Sequence, residues 1–276
     1  MAPIHRGGDR GVQAPRDPGE LDARAEALRA LAGSNVPFLV AGAYAFFEYT
    51  GIFRDTKDLD VFLRRADLDA AFQVLEGAGF RGEIAEPGWI GKAWRGQWFV
   101  DLIYSSGNGV AVVDDLWFDH ARRGVVMGVP VRLAPPEEMI WSKSFVLERE
   151  RYDGHDVNHI LRAVGQDLDW DRLLARFDRY WEVLLSHLLL FRFAYPGERS
   201  KVPDRVLEEL VGRLEEQLGT DHPSALCRGN LISRVQYRHD LEQLGYEDGR
   251  AWDEAERGDE GAPDDGGRDL PAGGGR

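Results

Sequence analysis

Apolar and polar positions along this chain follow two periods, and the change falls near Pro135-Pro136. Before it, short apolar runs alternate with helical patterns. Glu20 to Leu31 reads as a helix, and Pro37 to Ala41 as a short buried strand ending at Gly42. Ala43 to Tyr49 reads as a helix and Asp58 to Leu63 as a strand. Asp67 to Ala78 is helical by spacing, with Leu68, Ala71, Phe72 and Leu75 on one face and Gly79 near its end. Ala93-Trp94 and Trp98 to Tyr104 read as a hairpin turned at Arg95-Gly96, with further strands expected at Val110 to Val113 and Val125 to Leu133. After Pro136 the pattern is helical. Glu137 to Arg149 opens with acids near a proline, both favoured at a helix start. Helices follow at Asp156 to Val164, Trp170 to Phe177, Tyr180 to Phe193, Asp204 to Leu218 and Ser233 to Leu244.

The predicted fold class is therefore α/β (α+β), a mixed sheet with helices followed by a helical C-terminal domain. Residues 20–135 and 136–246 are the two expected parts. Residues 1–19, rich in Gly, Pro and Arg, read as a disordered tail. Residues 247–276 read as a second one, with eight glycines and ten acids against four arginines. A length of 276 residues accommodates either one large domain or two small ones. The net charge of −14 splits into −6 in the acidic tail and −8 in the rest. That balance disfavours a broad nucleic-acid footprint and leaves room only for a local basic patch. No stretch approaches the roughly 20 apolar residues of a membrane span, and the N-terminus has no apolar segment of the secretory kind. The single cysteine, Cys227, excludes an intrachain disulfide and suits a cytoplasmic protein, where it reads as a small, partly buried residue.

The chemistry concentrates in Thr56-Lys57-Asp58-Leu59-Asp60-Val61-Phe62-Leu63. On a strand, Asp58 and Asp60 share one face while Leu59, Val61 and Leu63 share the other. Two like charges so close repel unless a cation lies between them. Spacing alone favours the plain alternative, a solvent-facing edge strand. Two neighbours shift the balance. Asp101 lies inside the aromatic strand Gln97 to Tyr104, where an unpaired carboxylate is costly. Gly42 closes a strand and opens a helix, whose first backbone N–H groups favour a phosphate. Three strand carboxylates on one face would suit one or two Mg2+ ions, with Mn2+ as a substitute.

In order, Gly42-Ala43, fourteen residues, Asp58-Leu59-Asp60 and a later strand Asp101 resemble the DNA polymerase β-like nucleotidyltransferase superfamily. Val40 to Ala45 with Arg54 to Asp60 looks like its minimal bacterial branch, which includes the AbiEii-like toxins of type IV toxin–antitoxin systems. The resemblance covers roughly residues 36–165. It departs from the family at Ala43, where Gly or Ser is usual, so only backbone donation is kept there. It implies a nucleotidyl transfer from an NTP, ATP among them, to a hydroxyl on tRNA, a protein or a small molecule, and it allows an antitoxin partner. It assigns Asp58, Asp60 and Asp101 to metal and catalysis, and Gly42, Ala43, Thr56 and Lys57 to the nucleotide. Lys143 would reach the triphosphate, although a lysine snorkelling from an apolar stripe has the same pattern. Arg149 and Arg151 would contact phosphate, Arg151 being the one assigned to the nucleotide. Asp156 would be a catalytic acid, with Asp153 competing for that match. A catalytically silent nucleotide-binding module is the alternative. His155 and His159, at i and i+4, have zinc-ligand spacing but lack the Glu of the zinc-hydrolase motif.

Overall fold

The computed structural model describes residues 18–220 and 225–251. The predicted tails fall almost wholly outside those residues. The fold is mixed α/β, built on a seven-stranded sheet. Its strands are β1 (Leu39–Val40), β2 (Asp60–Phe62), β3 (Arg81–Glu86), β4 (Ile90–Arg95), β5 (Trp98–Ile103), β6 (Arg122–Val126) and β7 (Val129–Leu133), ordered β3-β4-β5-β2-β1-β7-β6. β1 runs antiparallel to β2 and parallel to β7, and β2 runs parallel to β5. β8 (Leu226–Cys227) and β9 (Glu247–Asp248) form a separate two-stranded pair.

The helices are α1 (Pro18–Ala32), α2 (Gly42–Thr50), α3 (Leu68–Gly77), α4 (Asp115–Asp119), α5 (Pro136–Ser144), α6 (Gly154–Val164), α7 (Trp170–Phe177), α8 (Trp181–Ala194), α9 (Asp204–Gln217), α10 (Gly229–Ile232) and α11 (Arg238–Gln243). α3 lays Phe72 where a Cβ on Gly82 or Gly91 would stand, so glycine on β3 and β4 admits the ring. That covers the face carrying Val61 and Leu102, which are register partners and fully buried. The opposite face carries the polar row described below.

Several elements depart from the sequence reading. Val110 to Val113 is a loop, apolar because Val110, Ala111 and Val113 enter the core rather than because they pair. The helix expected to reach Arg149 stops at Ser144. Leu147 instead bridges Tyr152 and donates its N–H to the Ile232 carbonyl at 3.0 Å. The strand expected from Asp58 is ordered as β structure only from Asp60. The Ser233 to Leu244 helix shrinks to α11. Strand β3 has no counterpart in the sequence reading, because its residues are mostly exposed and do not alternate. Glu247 and Asp248, placed with the acidic tail, pair with Leu226 and Cys227.

Candidate active site

Register, not sequence proximity, assembles the acidic group. Asp60 on β2 faces Asp101 on the parallel strand β5, and Asp101 faces Lys92 on β4. Asp60, Asp101 and Lys92 therefore form one row across three strands on the face away from α3. Asp58 joins from the loop before β2. Oxygens of Asp58, Asp60 and Asp101 lie within 4.8 Å of one another.

Each carboxylate is positioned by a different device. Thr56 Oγ1 donates to Asp58 Oδ1. Arg24, buried to 1% exposure on α1, donates to the Thr56 carbonyl at 3.1 Å and to Tyr44 Oη at 3.1 Å, and pairs with Glu20. A buried arginine thus ties the Asp58 loop to α1 and α2. Asp60 is seated against Gly42. A Cβ on residue 42 would stand 1.6 Å from Asp60 Oδ2, and Gly42 has φ of +54°, a conformation few other residues adopt. The glycine's need is therefore twofold, and one of its causes is the acid itself. Asp101 is held by Lys92 Nζ at 2.5 Å, while the ammonium also lies 4.1 Å from the Phe99 ring centroid.

The electrostatics are those of an anion cluster short of positive charge. Burial, reinforced by Asp58 and Asp101, pushes the Asp60 carboxyl up to about 7. Burial also raises Asp101, against the pull of Lys92. Three hard oxygen donors with no sulfur or imidazole suit a divalent cation such as Mg2+ or Mn2+, and a cation here would relieve the mutual repulsion.

Positive charge gathers beside this group. Lys143 on α5 reaches Asp156 at 2.8 Å and Asp153 at 3.2 Å. Arg151 donates to Asp153 at 3.0 Å, and Arg54 pairs with Asp156. Burial alone would raise Asp153, but Lys143 and Arg151 outweigh it and hold its carboxyl below the ordinary value. The five side chains form an alternating chain Arg54–Asp156–Lys143–Asp153–Arg151 along one wall. A cavity of about 610 Å³ contacts that wall, the three aspartates, and Gly42 and Ala43 in the first turn of α2. First-turn amides have no partner within their own helix, which makes that turn an anion site.

Placement of the expected residues is therefore uneven. Gly42, Ala43, Thr56, Asp58, Asp60, Asp101, Lys143, Arg151, Asp153 and Asp156 all meet at this cavity. Lys57 does not: it is exposed on its loop and outside the cavity wall. Arg149 is also exposed and pairs with its neighbour Glu150. His155 and His159 are not arranged as zinc ligands, because the Arg54 guanidinium sits between them, 2.8 Å from His155 Nε2 and 3.4 Å from His159 Nδ1. Among the described residues, Asp58, Asp60 and Asp101 are the group of three or more such side chains able to share a metal ion.

Sequence reasoning missed Arg54, which also stacks 4.7 Å from the Phe46 ring. It missed Lys92 as the partner of Asp101. The far wall, where Ser105, Asn108, Leu231 and Arg234 contact the cavity, was not foreseen either. Only alternation along β4 hinted at Lys92; nothing local marked the others.

No family model and no curated protein matches this chain. Several solved structures overlap this chain in part. One is the antibiotic-resistance factor ANT(2'')-Ia, at 18% identity and a TM-score of 0.43 over 62% of this chain and 98% of that one. Another is the lincosamide antibiotic adenylyltransferase LnuA bound to lincomycin, at 14% identity and 0.38 over 50% and 94%. A third is an antigenic nucleotidyltransferase-like protein from Paracoccidioides brasiliensis, at 19% identity and 0.36 over 63% and 94%. Overlaps this partial carry no weight in assigning this chain an activity or substrate. Among the described residues, no helix is long and apolar enough to cross a membrane.

Proposed function

We propose that this protein is a metal-dependent nucleotidyltransferase that moves a nucleoside monophosphate from an NTP to a hydroxyl acceptor. The observation that carries the reading is the meeting of three carboxylates, a helix N-terminus and a cationic wall around one cavity. Mg2+ or Mn2+, held by Asp58, Asp60 and Asp101, would neutralise charge on the phosphate oxygens. The chain's own groups do the rest. Backbone N–H groups at Gly42 and Ala43 bind a phosphate edge, which needs no side chain at residue 43. Lys143, Arg54 and Arg151 supply positive charge along the polyphosphate, exchanging part of their pairing with Asp153 and Asp156 for it. Asp101, kept in place by Lys92, accepts the proton of the attacking hydroxyl, whose oxygen bonds to the α-phosphorus as pyrophosphate leaves. Catalysis is then positioning and electrostatic stabilisation.

In this reading residues 20–135 hold the metal and contribute Gly42, Ala43 and Arg54 to the nucleotide, and residues 136–246 bring Lys143 and Arg151 of the cationic wall and the acceptor side. A toxin-like role in the cytoplasm, restrained by an antitoxin, belongs to the same proposal through the resemblance to AbiEii-like proteins. The test is incubation of the protein with each labelled NTP, Mg2+ and cell extract. Label should enter an acceptor, whether tRNA, protein or small molecule, and be lost in Asp58→Ala and Asp60→Ala. A wild type that binds NTP and labels nothing would replace this reading with the silent binding module. Expression that leaves growth unaffected would remove the toxin role.

A further inference from the structure

Arg24 is 1% exposed, and its neighbours on α1, Ala23, Ala27 and Leu28, are buried apolar residues. An apolar side chain would fill that position without desolvating a guanidinium. It would not hold two other elements at once. Arg24 Nη1 donates to Tyr44 Oη at 3.1 Å, while Nη2 donates to the Thr56 carbonyl at 3.1 Å and pairs with Glu20. The guanidinium is planar and rigid, so its two ends fix the separation of the groups they hold.

Each of those groups stands behind a different half of the cavity. Tyr44 follows Gly42 and Ala43 in the first turn of α2, the turn that forms the anion site. Thr56 donates from Oγ1 to the carboxylate of Asp58. Asp60 and Asp101 are placed by strand register. Asp58 lies before β2 begins, so the bonds of its own loop must place it. Arg24 is not among the residues that line the cavity. We infer that Arg24 is a positioning residue that sets Asp58 against the phosphate-binding turn of α2, so that one buried side chain tunes the affinity for both metal and polyphosphate. Glu20 balances its charge, and what reaches the site is geometry.

This inference rests on the metal and phosphate sites proposed above. Mn2+ binding to the full chain, read from the paramagnetic resonance of the free ion, tests it without turnover or an acceptor. Arg24→Lys keeps the charge but lacks the fork. It should weaken Mn2+ binding about tenfold, as for an outer partner of a metal ligand, in a chain whose circular dichroism is unchanged. Glu20→Gln, a milder change that loosens the guanidinium, should act in the same direction, and it decides the matter if Arg24→Lys does not fold. Tyr44→Phe releases only the α2 arm. It should leave Mn2+ alone bound as in wild type and weaken calorimetric binding of Mn2+-saturated tripolyphosphate about threefold, the effect of one hydrogen bond. Folded Arg24→Lys and Glu20→Gln variants that bind Mn2+ as wild type does would overturn this inference alone. So would a Tyr44→Phe variant that loses Mn2+ itself, because Arg24 would then be a general packing support. A wild type that binds no Mn2+ would overturn the proposed metal site, and this inference with it.

Discussion

Asp60 concentrates the cost of the site in one side chain. It is desolvated, it faces Asp101 across a strand pair, and Asp58 lies beside it, so its carboxyl is pushed up to about 7. The folded state therefore holds a proton that the unfolded chain, with an ordinary carboxyl near 4, releases. Stability should fall as pH rises from about 4 to about 7, and the loss should be complete above that window. Asp60→Asn cannot ionise. In the presence of chelator it should be more stable than wild type by about 1–3 kcal/mol above pH 7, with the difference vanishing near pH 4. Urea unfolding across that range measures it, and a gain independent of pH would show that the like charges are not the cause. Gly42 gives the complementary test. Gly42→Ala must displace the Asp60 carboxylate and adopt a strained φ. Nucleotidyl transfer should drop roughly a hundredfold, as for an ångström-scale misplacement, while Gly51→Ala, whose Cβ meets nothing within 4 Å, keeps activity despite similar strain. Both glycines are visible in the sequence. Only the structure shows which one an acid leans on.

At the scale of elements, α5 shows how a correct local rule can miss the larger cause. Glu137 and Glu138 follow Pro136 and read as first-turn acids placed for the helix dipole. They are nearly inaccessible, and they anchor α7 rather than merely face solvent. Arg172 reaches Glu137 at 2.7 Å and Glu138 at 2.5 Å, and Arg176 joins Glu138 at 3.2 Å and Asp114 at 2.6 Å. Glu137 also accepts the Asp169 N–H at 2.7 Å. Helix α5 carries Lys143 into the cavity, so this buried network fixes the lysine's helix to α7 and, through Arg176 and Asp114, ties α7 to the first half of the chain. His187 on α8 adds a second anchor by donating from Nε2 to the Ser144 carbonyl, one residue after Lys143, at 2.9 Å. Removing one partner leaves a buried charge, which is worse than never having the pair. Arg172→Met should cost about 3–5 kcal/mol in urea unfolding, although the residue lies outside the cavity. A loss under 1 kcal/mol would mean that Arg176 alone suffices. The same helix was read as too long because Val146 and Leu147 continue its apolar stripe. Both are only half-buried, in a turn that Leu147 ties to the Ile232 segment, and periodicity does not distinguish that from another helical turn.

Across the whole molecule, what was legible was local. Glycine turn, acidic pair and strand aspartate lie within short motifs, and β2 and β5 follow from alternation. What was not legible joins distant parts of the chain. Arg54 pairs with Asp156 from the other half of the chain, and Asn108 donates to the Leu231 carbonyl at 2.6 Å to bring the C-terminal segment to the cavity. The same holds for the core. The change of pattern at Pro135-Pro136 is a change of element type, but one buried cluster runs through it, from Leu31, Val40 and Trp117 to Ile140, Leu161 and Phe177. Trp117 and Trp141, on either side of that change, approach to 6.5 Å between ring centroids. Neither half buries its apolar surface without the other, so their unfolding should be coupled. Scanning calorimetry of the full chain should give a single transition whose calorimetric and van't Hoff enthalpies agree. A divalent cation, held as proposed by residues before 135 only, should move that whole transition upward as mass action requires. Two separate transitions, with only one of them moved by Mn2+, would show that the cavity is a seam between independent parts and that its cationic wall can leave the carboxylates without unfolding them.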